Sequence, residues 1–415
     1  MQIDSVKSNL AESFSTSFYI FSIWAFILVG RPQDYLGFLI PLRIALVFTL
    51  LSIAFTVWEG KRISVSMFRD TAVNKKFIIL FIIMVLGVPF AVHRGFAFKF
   101  LYNFYSINVI FFYLFYLHVD SIEKLKSILF TMALAGLLYS VFTLLKGGAA
   151  VGRYSIGSMH DPNDLAYYIV GLMPLSLIFI EKGEEKFKRI CAYLSLALSP
   201  LVVLLTGSRG GLFGLLAIVI IVLFKKIAGI NKLHKIAFVV IATLFIAYNL
   251  HKIDVNRFMG LGEIEDDYNV TSETGRLEIW KTGLELVISH PITGVGAFNF
   301  ARAFSYLRAK QGRLPAWKGA HNSYLQICAE TGLFGFWVFI SLIILSLKSF
   351  YMTFKGAYGT GRDADLSKMS MIVLIGFAAN LVSAFFLSQA YGYIFTLYFA
   401  IGSAINKMQA RERIA

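Results

Sequence analysis

Long apolar runs separated by short polar segments make up most of the chain. A run of about 17 to 25 apolar residues is long enough to cross a bilayer as an α-helix. The pattern predicts about twelve such helices, at approximately 16–30, 36–58, 77–93, 98–118, 127–145, 164–181, 189–206, 211–225, 235–250, 333–352, 368–387 and 390–407. The expected fold class is therefore an all-α polytopic membrane protein.

The spacing of these runs divides the chain into three parts. Nine predicted helices with short connections occupy residues 1–250, and three more occupy residues 333–415. Residues 251–332 contain no apolar run long enough to cross a bilayer, so we expect them to form one loop domain outside the membrane.

The loop domain is predicted to contain an amphipathic helix. In "TGRLEIWKTGLELVISHPITGVG" apolar side chains recur at helical spacing and form one face, made of Leu277, Trp280, Leu284 and Val287. Pro291 and Gly294 are expected to end this helix. An acidic cluster precedes it and is interpreted as a solvated turn, with a divalent-cation site as the alternative; it comprises Glu263, Glu265, Asp266 and Asp267.

Basic residues carry a topology signal. If the N-terminus lies in the cytoplasm, the cytoplasmic segments hold 23 Lys and Arg residues, whereas the short outer loops hold six. Because cytoplasmic loops are enriched in Lys and Arg, this bias predicts that both termini are cytoplasmic and that residues 251–332 lie on the outer face. Topology thus accounts for the formal net charge of +15, and no nucleic acid partner is expected.

Composition limits the classes of protein further. With 57% hydrophobic and 15% charged residues, the chain does not have the composition of a soluble globular domain. The two cysteines, Cys191 and Cys328, fall on opposite sides of the membrane in this topology and cannot form a disulfide. No Asp, Glu or Lys lies near the middle of a predicted span, which disfavours an ion-coupled transporter.

Polar residues are concentrated instead on the predicted outer face. The stretch "GRYSIGSMHDPNDLAYY" offers Arg153, Asn163 and Asp164, and "TGSRGGL" places Arg209 among glycines. Helix capping is the structural alternative for Asn163 and Asp164. For Arg209, the alternative to an anion site is an ordinary tight turn with an arginine facing lipid headgroups.

Two further polar positions lie in or near the loop domain. Arg276 begins the amphipathic helix, where a cation is unfavourable for the helix dipole, so an anionic partner is a reasonable hypothesis. His321 and Asn322 stand before the tenth predicted span in "GAHNSYLQICAETGLFGF". If 321–332 is helical, Glu330 lies on the face opposite His321 and cannot orient its imidazole.

Together these residues favour one chemistry. The guanidinium fork of arginine matches phosphate oxygens and stays charged, and a histidine can take a proton from a hydroxyl near neutral pH. The set predicts transfer of a group from a lipid diphosphate to a hydroxyl. A flippase or transporter for lipid-linked glycans and a non-enzymatic membrane scaffold are the alternatives from other classes.

The motifs resemble those of the O-antigen ligase/polymerase superfamily. The similarity lies in "TGSRGGL", in "GRLEIWKTGLELVISHPITGVGAFNF" and in "HNSYLQICAETGLFGF", with "GRYSIGSMHDPNDLAYY" as an earlier segment. The resemblance implies a multi-pass glycosyltransferase of the GT-C type in the bacterial inner membrane, acting in lipopolysaccharide or exopolysaccharide biosynthesis. Its members need no cofactor, metal or nucleotide sugar.

The resemblance also implies substrates and residue roles. The donor is a glycan on undecaprenyl diphosphate, and the acceptor is a glycolipid such as lipid A–core for a ligase or another lipid-linked repeat for a polymerase. By position, His321 is the base that deprotonates the acceptor hydroxyl. Arg209 and Arg276 bind the diphosphate, with Arg153 as a third. Three residues are expected to support the site: Asn322, Asn163 and Asp164.

Overall fold

The computed structural model describes residues 14–61, 64–150, 153–157, 161–224, 275–356 and 362–412. The ninth predicted span, 235–250, and the acidic cluster within 263–267 lie outside the described residues. The helices of the described part are α1 Thr16–Gly30, α2 Ile44–Trp58, α3 Ala72–Gly87, α4 Arg94–Phe100, α5 Ser106–His118, α6 Ile122–Lys146, α7 Pro162–Leu172, α8 Lys186–Leu205, α9 Arg209–Phe224, α10 Arg276–Ser289, α11 Phe300–Lys310, α12 Ser323–Gly356, α13 Arg362–Ala384 and α14 Tyr393–Glu412.

Each predicted span in the described part of the chain coincides with a helix. Six helical segments are long and apolar enough to cross a membrane, and α1, α2 and α9 are apolar but shorter. A π-helical turn at Leu101–Tyr105 joins α4 to α5 into one of the six. The chain is thus a largely helical, polytopic membrane protein, while the total of twelve spans and the GT-C arrangement stay predictions.

Two spans are shorter than their apolar runs predict, because proline interrupts them. The run at 36–58 is helical only from Ile44, since Pro41 disfavours helical backbone before it, and exposed Arg43 precedes the helix in a left-handed conformation. The run at 164–181 is α-helical from Pro162 to Leu172 and continues as a 3-10 helix, with Pro174 near its start.

The tenth span differs in the opposite direction. Its helix α12 begins at Ser323, ten residues before the predicted start at 333, and bends at Gly332, whose φ is 68° and ψ is −176°. That backbone geometry is reached almost only by glycine. The expected boundary between loop domain and span therefore falls on a kink within α12.

The hairpin before α7 was not predicted, because the fold class was expected to be all-α. Residues Gly148–Ala150 (β1) pair antiparallel with Arg153–Ser155 (β2), with Ala150 opposite Arg153. This short pair places Arg153 beside the beginning of α7 and the end of α8.

The helix faces that pack inside the bundle are not the most apolar ones. In α2 the buried side chains are Thr49, Ser52 and Thr56, while leucines and Trp58 face outward, with Trp58 78% exposed. Lipid tails solvate apolar side chains as well as a protein core does, so small and weakly polar residues mark the packed face instead.

The apolar face predicted for α10 is divided in the structure. Leu277 and Leu284 are 54% and 56% exposed, whereas Trp280 and Val287 pack against a buried cluster. The buried positions of this helix are Ile279, Thr282, Gly283 and Leu286. Gly283 admits the side chain of Leu325, so α10 packs on the first turns of α12 through its small residues.

Candidate functional site

The end of α13 and the segment after it contact three of the polar stretches singled out in the sequence. Ser383 Oγ donates to the Gly210 carbonyl at 2.9 Å, and Ser388 Oγ accepts the His321 backbone N–H at 2.8 Å. Gln389 Nε2 donates to Asp164 Oδ1 at 2.8 Å. Residues 383–389, the hub segment, therefore hold α9, the His321 loop and α7 together at one end of the bundle.

His321 lies in a turn fixed on both sides. Its own φ is 47°, a left-handed conformation that histidine adopts more readily than most residues. The indole N–H of Trp280 donates to the Ala320 carbonyl at 3.1 Å, and the Trp280 ring packs against Phe385 of the hub segment. The turn is thus held by α10 from one side and by Ser388 from the other.

Burial and nearby positive charge favour the neutral form of His321. Burial lowers the pKa of its imidazole below the usual value, and the positive charges of Arg276 and Lys318 lower it further, against an opposing effect of Asp161. A neutral imidazole can accept a proton. The same electrostatic interactions show that Arg276 and Asp161 lie near His321.

Arg276 is the first residue of α10, one turn before Trp280. Because Trp280 is bonded to Ala320, the start of α10 is placed beside the His321 turn. The backbone N–H groups at a helix start carry partial positive charge, so this end of α10 adds to the positive potential near His321.

Arg209 begins α9 and is partly buried. The glycines beside it are helical and serve packing: a Cβ at Gly211 would lie 2.6 Å from the Ala166 Cβ, and one at Gly210 would lie 2.9 Å from the Phe386 Cβ. Ser208 Oγ accepts the Gly211 N–H at 3.1 Å. Close contact with α7 and the hub segment thus accounts for "SRGG".

Arg153 connects the hairpin to both neighbouring motifs. Its Nε donates to the Thr206 carbonyl at 2.9 Å, and its Nη2 donates to Asn163 Oδ1 at 2.9 Å. The cap of α7 is Asp161, which accepts the Asn163 backbone N–H, so the capping alternative for Asn163 and Asp164 is wrong by two to three positions. Asn163 instead orients Arg153.

Asn322 caps α12. Its Oδ1 accepts the backbone N–H groups of Tyr324 and Leu325 at 2.9 and 3.0 Å, the usual role of asparagine before a helix. Ser323, the next residue, donates from Oγ to the Leu387 carbonyl at 2.7 Å. The side chain of Asn322 therefore caps α12, and that of Ser323 binds the hub segment.

A cavity of about 540 Å³ adjoins the His321 turn. Gly319, Ala320 and Ser388 form the wall that it shares with this turn, and Asp164 and Gln389 also line it. Two charged residues, Arg302 and Glu330, also line this cavity. Sequence reasoning missed Arg302 and considered Glu330 only as a partner of His321, because both reach the cavity through contacts between distant segments.

Glu330 is buried, and its carboxylate is directed to the loop before α11. It accepts the backbone N–H groups of Phe298 and Phe300 at 2.7 and 2.9 Å. It therefore supports that loop and not the imidazole of His321. Among the described residues, no three His, Cys, Asp or Glu side chains stand close enough to share a metal ion.

Comparison with known proteins identifies the part of the chain that carries this site. Residues 194–340 match the family model described as O-antigen ligase. Residues 194–340 are therefore similar to an O-antigen ligase domain, and we call them the ligase-like region. The match supports the O-antigen ligase/polymerase superfamily that the motifs resemble.

The chain is also similar to an uncharacterized protein of Haemophilus influenzae, which is 26% identical over 198 residues, 44% of this chain and 47% of that protein. The chain thus spans about half the length of the relative it matches. Arg209, Arg276 and His321 lie within the ligase-like region, whereas Arg153, Asn163 and Asp164 precede it.

In the ligase-like region, backbone hydrogen bonds join residues 291–296, which follow α10, to residues 329–333 at the kink of α12. We call this contact the interlock. Val295 and Gly296 donate their N–H groups to the Ala329 and Glu330 carbonyls, and Leu333 donates to the Pro291 carbonyl. Gly294 and Gly332 have φ of 65° and 68°. A side chain on either would meet the opposite backbone. This interlock fixes the end of α10 against the kink of α12, and so fixes Arg276 relative to His321.

Proposed function

We propose that this protein transfers a glycan from undecaprenyl diphosphate to a hydroxyl of an acceptor glycolipid, such as lipid A–core, on the periplasmic face of the inner membrane. The observation that carries the proposal is the state of His321. It is a partly buried imidazole with a lowered pKa, held beside Arg276 in a turn tied to the hub segment. A neutral imidazole next to fixed cations suits a base that works beside a diphosphate.

The reaction is a single displacement. The acceptor oxygen gives its proton to His321 and forms a bond to the anomeric carbon, while the bond from that carbon to the diphosphate breaks. The diphosphate leaves with the bonding electron pair, and Arg209 and Arg276 stabilise its added charge, with Arg153 setting the adjoining backbone. Displacement in one step inverts the anomeric configuration. The arginines supply positive charge, so the step requires no metal ion.

The test of the base is a His321→Asn variant in reconstituted membranes with a lipid-linked glycan and the acceptor glycolipid. Asparagine tolerates the left-handed backbone, so the turn is retained while the base is lost. We expect transfer to fall about 10²- to 10⁴-fold. His290→Gln, a histidine at the end of α10, is the matched control and should transfer like wild type.

Near-wild-type transfer by His321→Asn would refute the base assignment. Donor and acceptor are supplied on the same side of the bilayer, so a flippase would form no product, whereas a transferase forms it without translocation. The acceptor follows from a gene deletion read on the cell's glycolipids. Loss of all attached O-chains indicates ligation, and chains of a single repeat indicate polymerisation.

A further inference from the structure

The cavity beside the His321 turn has the surface of a sugar site. The aromatic residues Phe100 and Phe298 line it, and the polar residues include Gln326, Gln389 and Asp164. Small-molecule sites typically enclose about 300–1,000 Å³ and combine aromatic walls with a few placed polar groups. The cavity's volume of about 540 Å³ falls in this range.

Its charge disfavours the donor's diphosphate. Two acidic residues, Asp164 and Glu330, and one basic residue, Arg302, line the cavity. The Arg302 guanidinium already lies over the Phe96 ring, 3.3 Å from its centroid. A polyprenyl chain is disfavoured as well, because it would leave the polar wall desolvated without hydrogen bonds. A neutral, hydroxyl-rich ligand satisfies both the carboxylates and the amides.

The cavity wall is held in a strained conformation. Phe298 has a φ of 58°, which is rare for a bulky residue and costs about 1–3 kcal/mol. Its N–H is bonded to the Glu330 carboxylate, and its ring stacks on Phe100 at 4.5 Å between centroids. Strain of this kind persists only where the surrounding structure enforces it, and it concentrates at functional sites.

The cavity lies directly beside the His321 turn. Gly319 and Ala320 line it immediately before His321, and Ser388, which binds the His321 N–H, lines it too. Arg209, Arg276 and His321 are not among its lining residues. The His321 turn therefore lies between the cavity and the start of α10, where Arg276 is located. A base that takes a proton from the acceptor as the donor's diphosphate leaves must lie between the two substrates.

We propose that this cavity binds the acceptor's terminal sugar, a neutral hydroxylated ring that packs against the aromatic wall of Phe298 and Phe100 and is hydrogen-bonded to the Asp164 and Gln389 side. The inference rests on the proposed glycan transfer and adds where the acceptor enters. Glu330 acts as a positioning residue, since it holds Phe298.

The test fills the cavity without removing a polar group. Ala301 lines the cavity at the start of α11, and Ala301→Trp occupies its volume. Ala309→Trp, on an exposed position of the same helix, is the matched control. Transfer is measured from a lipid-linked glycan to the O-chain-free glycolipid that accumulates in the deletion strain. Binding to the donor side is measured separately, as the rise in melting temperature that undecaprenyl diphosphate produces.

We expect Ala301→Trp to raise the KM for the acceptor at least tenfold and to keep the undecaprenyl diphosphate shift. Arg302→Gln, which changes the lining with little change in volume, should raise the acceptor KM severalfold, so that a folding defect of Ala301→Trp does not leave the question open. Both Trp variants are compared with wild type for melting temperature without lipid.

Each other result overturns a distinct statement. If wild type transfers and both cavity variants keep its acceptor KM, the cavity is not the acceptor site, and the proposed function stands. If Ala301→Trp loses the undecaprenyl diphosphate shift, the cavity holds the donor lipid instead. If wild type forms no product, the proposed function fails, and this inference fails with it.

Discussion

Glycine has a different structural role in each of the two glycine-bearing motifs of the ligase-like region. At 207–211 the helical glycines Gly210 and Gly211 leave room for side chains of α7 and the hub segment. At the interlock, Gly294 and Gly332 have positive φ, and the two backbones meet directly. The first motif is a packing device that brings Arg209 to the hub segment, and the second is a backbone joint that sets α10 against α12.

The difference teaches how each motif depends on glycine. At Gly210 and Gly211 an added methyl group would meet the Cβ atoms of Phe386 and Ala166, which no change of rotamer moves, so this contact relaxes only if the neighbouring backbones shift slightly. A backbone joint cannot relax in this way, since both the dihedral angles and the space exclude a Cβ. The two motifs are both rich in glycine, but they therefore differ in how much a substitution of glycine destabilises them.

The largest effect is expected at the joint. Gly332→Ala forces a side chain into a conformation that costs about 1–3 kcal/mol and places its Cβ against the Ile292 carbonyl. We expect a clear fall in melting temperature together with loss of transfer. Gly356→Ala, at the end of the same helix where nothing lies within 4 Å, is the control. Equal melting temperatures for the two variants would show that the joint is not rigid.

A smaller effect is expected at the packing motif. Gly211→Ala brings a methyl group 2.6 Å from the Ala166 Cβ, and overpacking of this kind typically costs about 1–3 kcal/mol when the backbone can shift. We expect the protein to fold, with a raised KM for the lipid-linked donor because Arg209 moves. Gly37→Ala, with no atom within 4 Å, should leave the donor KM at the wild-type value. An unchanged donor KM in Gly211→Ala would separate Arg209 from donor binding.

The smallest effect is expected in the dependence of the transfer rate on pH, and it distinguishes Arg276 from Arg209. Since the pKa of His321 is lowered, the acid limb of transfer should lie below about pH 6.5, the ordinary histidine value. A nearby positive charge favours the neutral imidazole, so Arg276→Gln raises the pKa of His321 and moves the acid limb to higher pH.

Arg209→Gln is the comparison variant for this profile. Arg209 is not among the charges that shift the pKa of His321, so its loss should lower the rate without moving the acid limb. The measurement is the rate of transfer against pH for wild type and both variants. A shift of equal size in the two variants would mean that both motifs act on the base alike.

The sequence predicted the helices well because apolar runs report membrane insertion without reference to packing. It failed at prolines, where the runs at 36–58 and 164–181 include 3-10 segments. It identified an apolar face of α10 but not the residues that pack, since an apolar side chain such as Leu284 can also face outward. Small residues such as Gly283 identify that face, and hydrophobicity alone does not.

The site was predictable only where a residue type implies its chemistry. Arginine among glycines and histidine before a helix were found in this way, and the structure ties Arg276 to His321 through electrostatics. The sequence placed Glu330 away from His321 but could not show its contact with Phe298, which is 32 residues away. Arg302, which meets Phe96, carries no signal of its own. The cap at Asp161 was missed because Asp, Asn and Asp occur within four positions and each can cap a helix.

The hub segment also determines when the site can assemble during synthesis of the chain. Ser388 and Gln389 supply the bonds that fix the His321 turn and Asp164, yet they leave the ribosome after almost all of the helices that they join. A nascent chain that has inserted α1 to α12 already carries Arg209, Arg276 and His321 but lacks the residues that bring them into register. Assembly of the site is thus coupled to insertion of the last pair of helices, and a chain that stops short of residue 388 lacks these bonds.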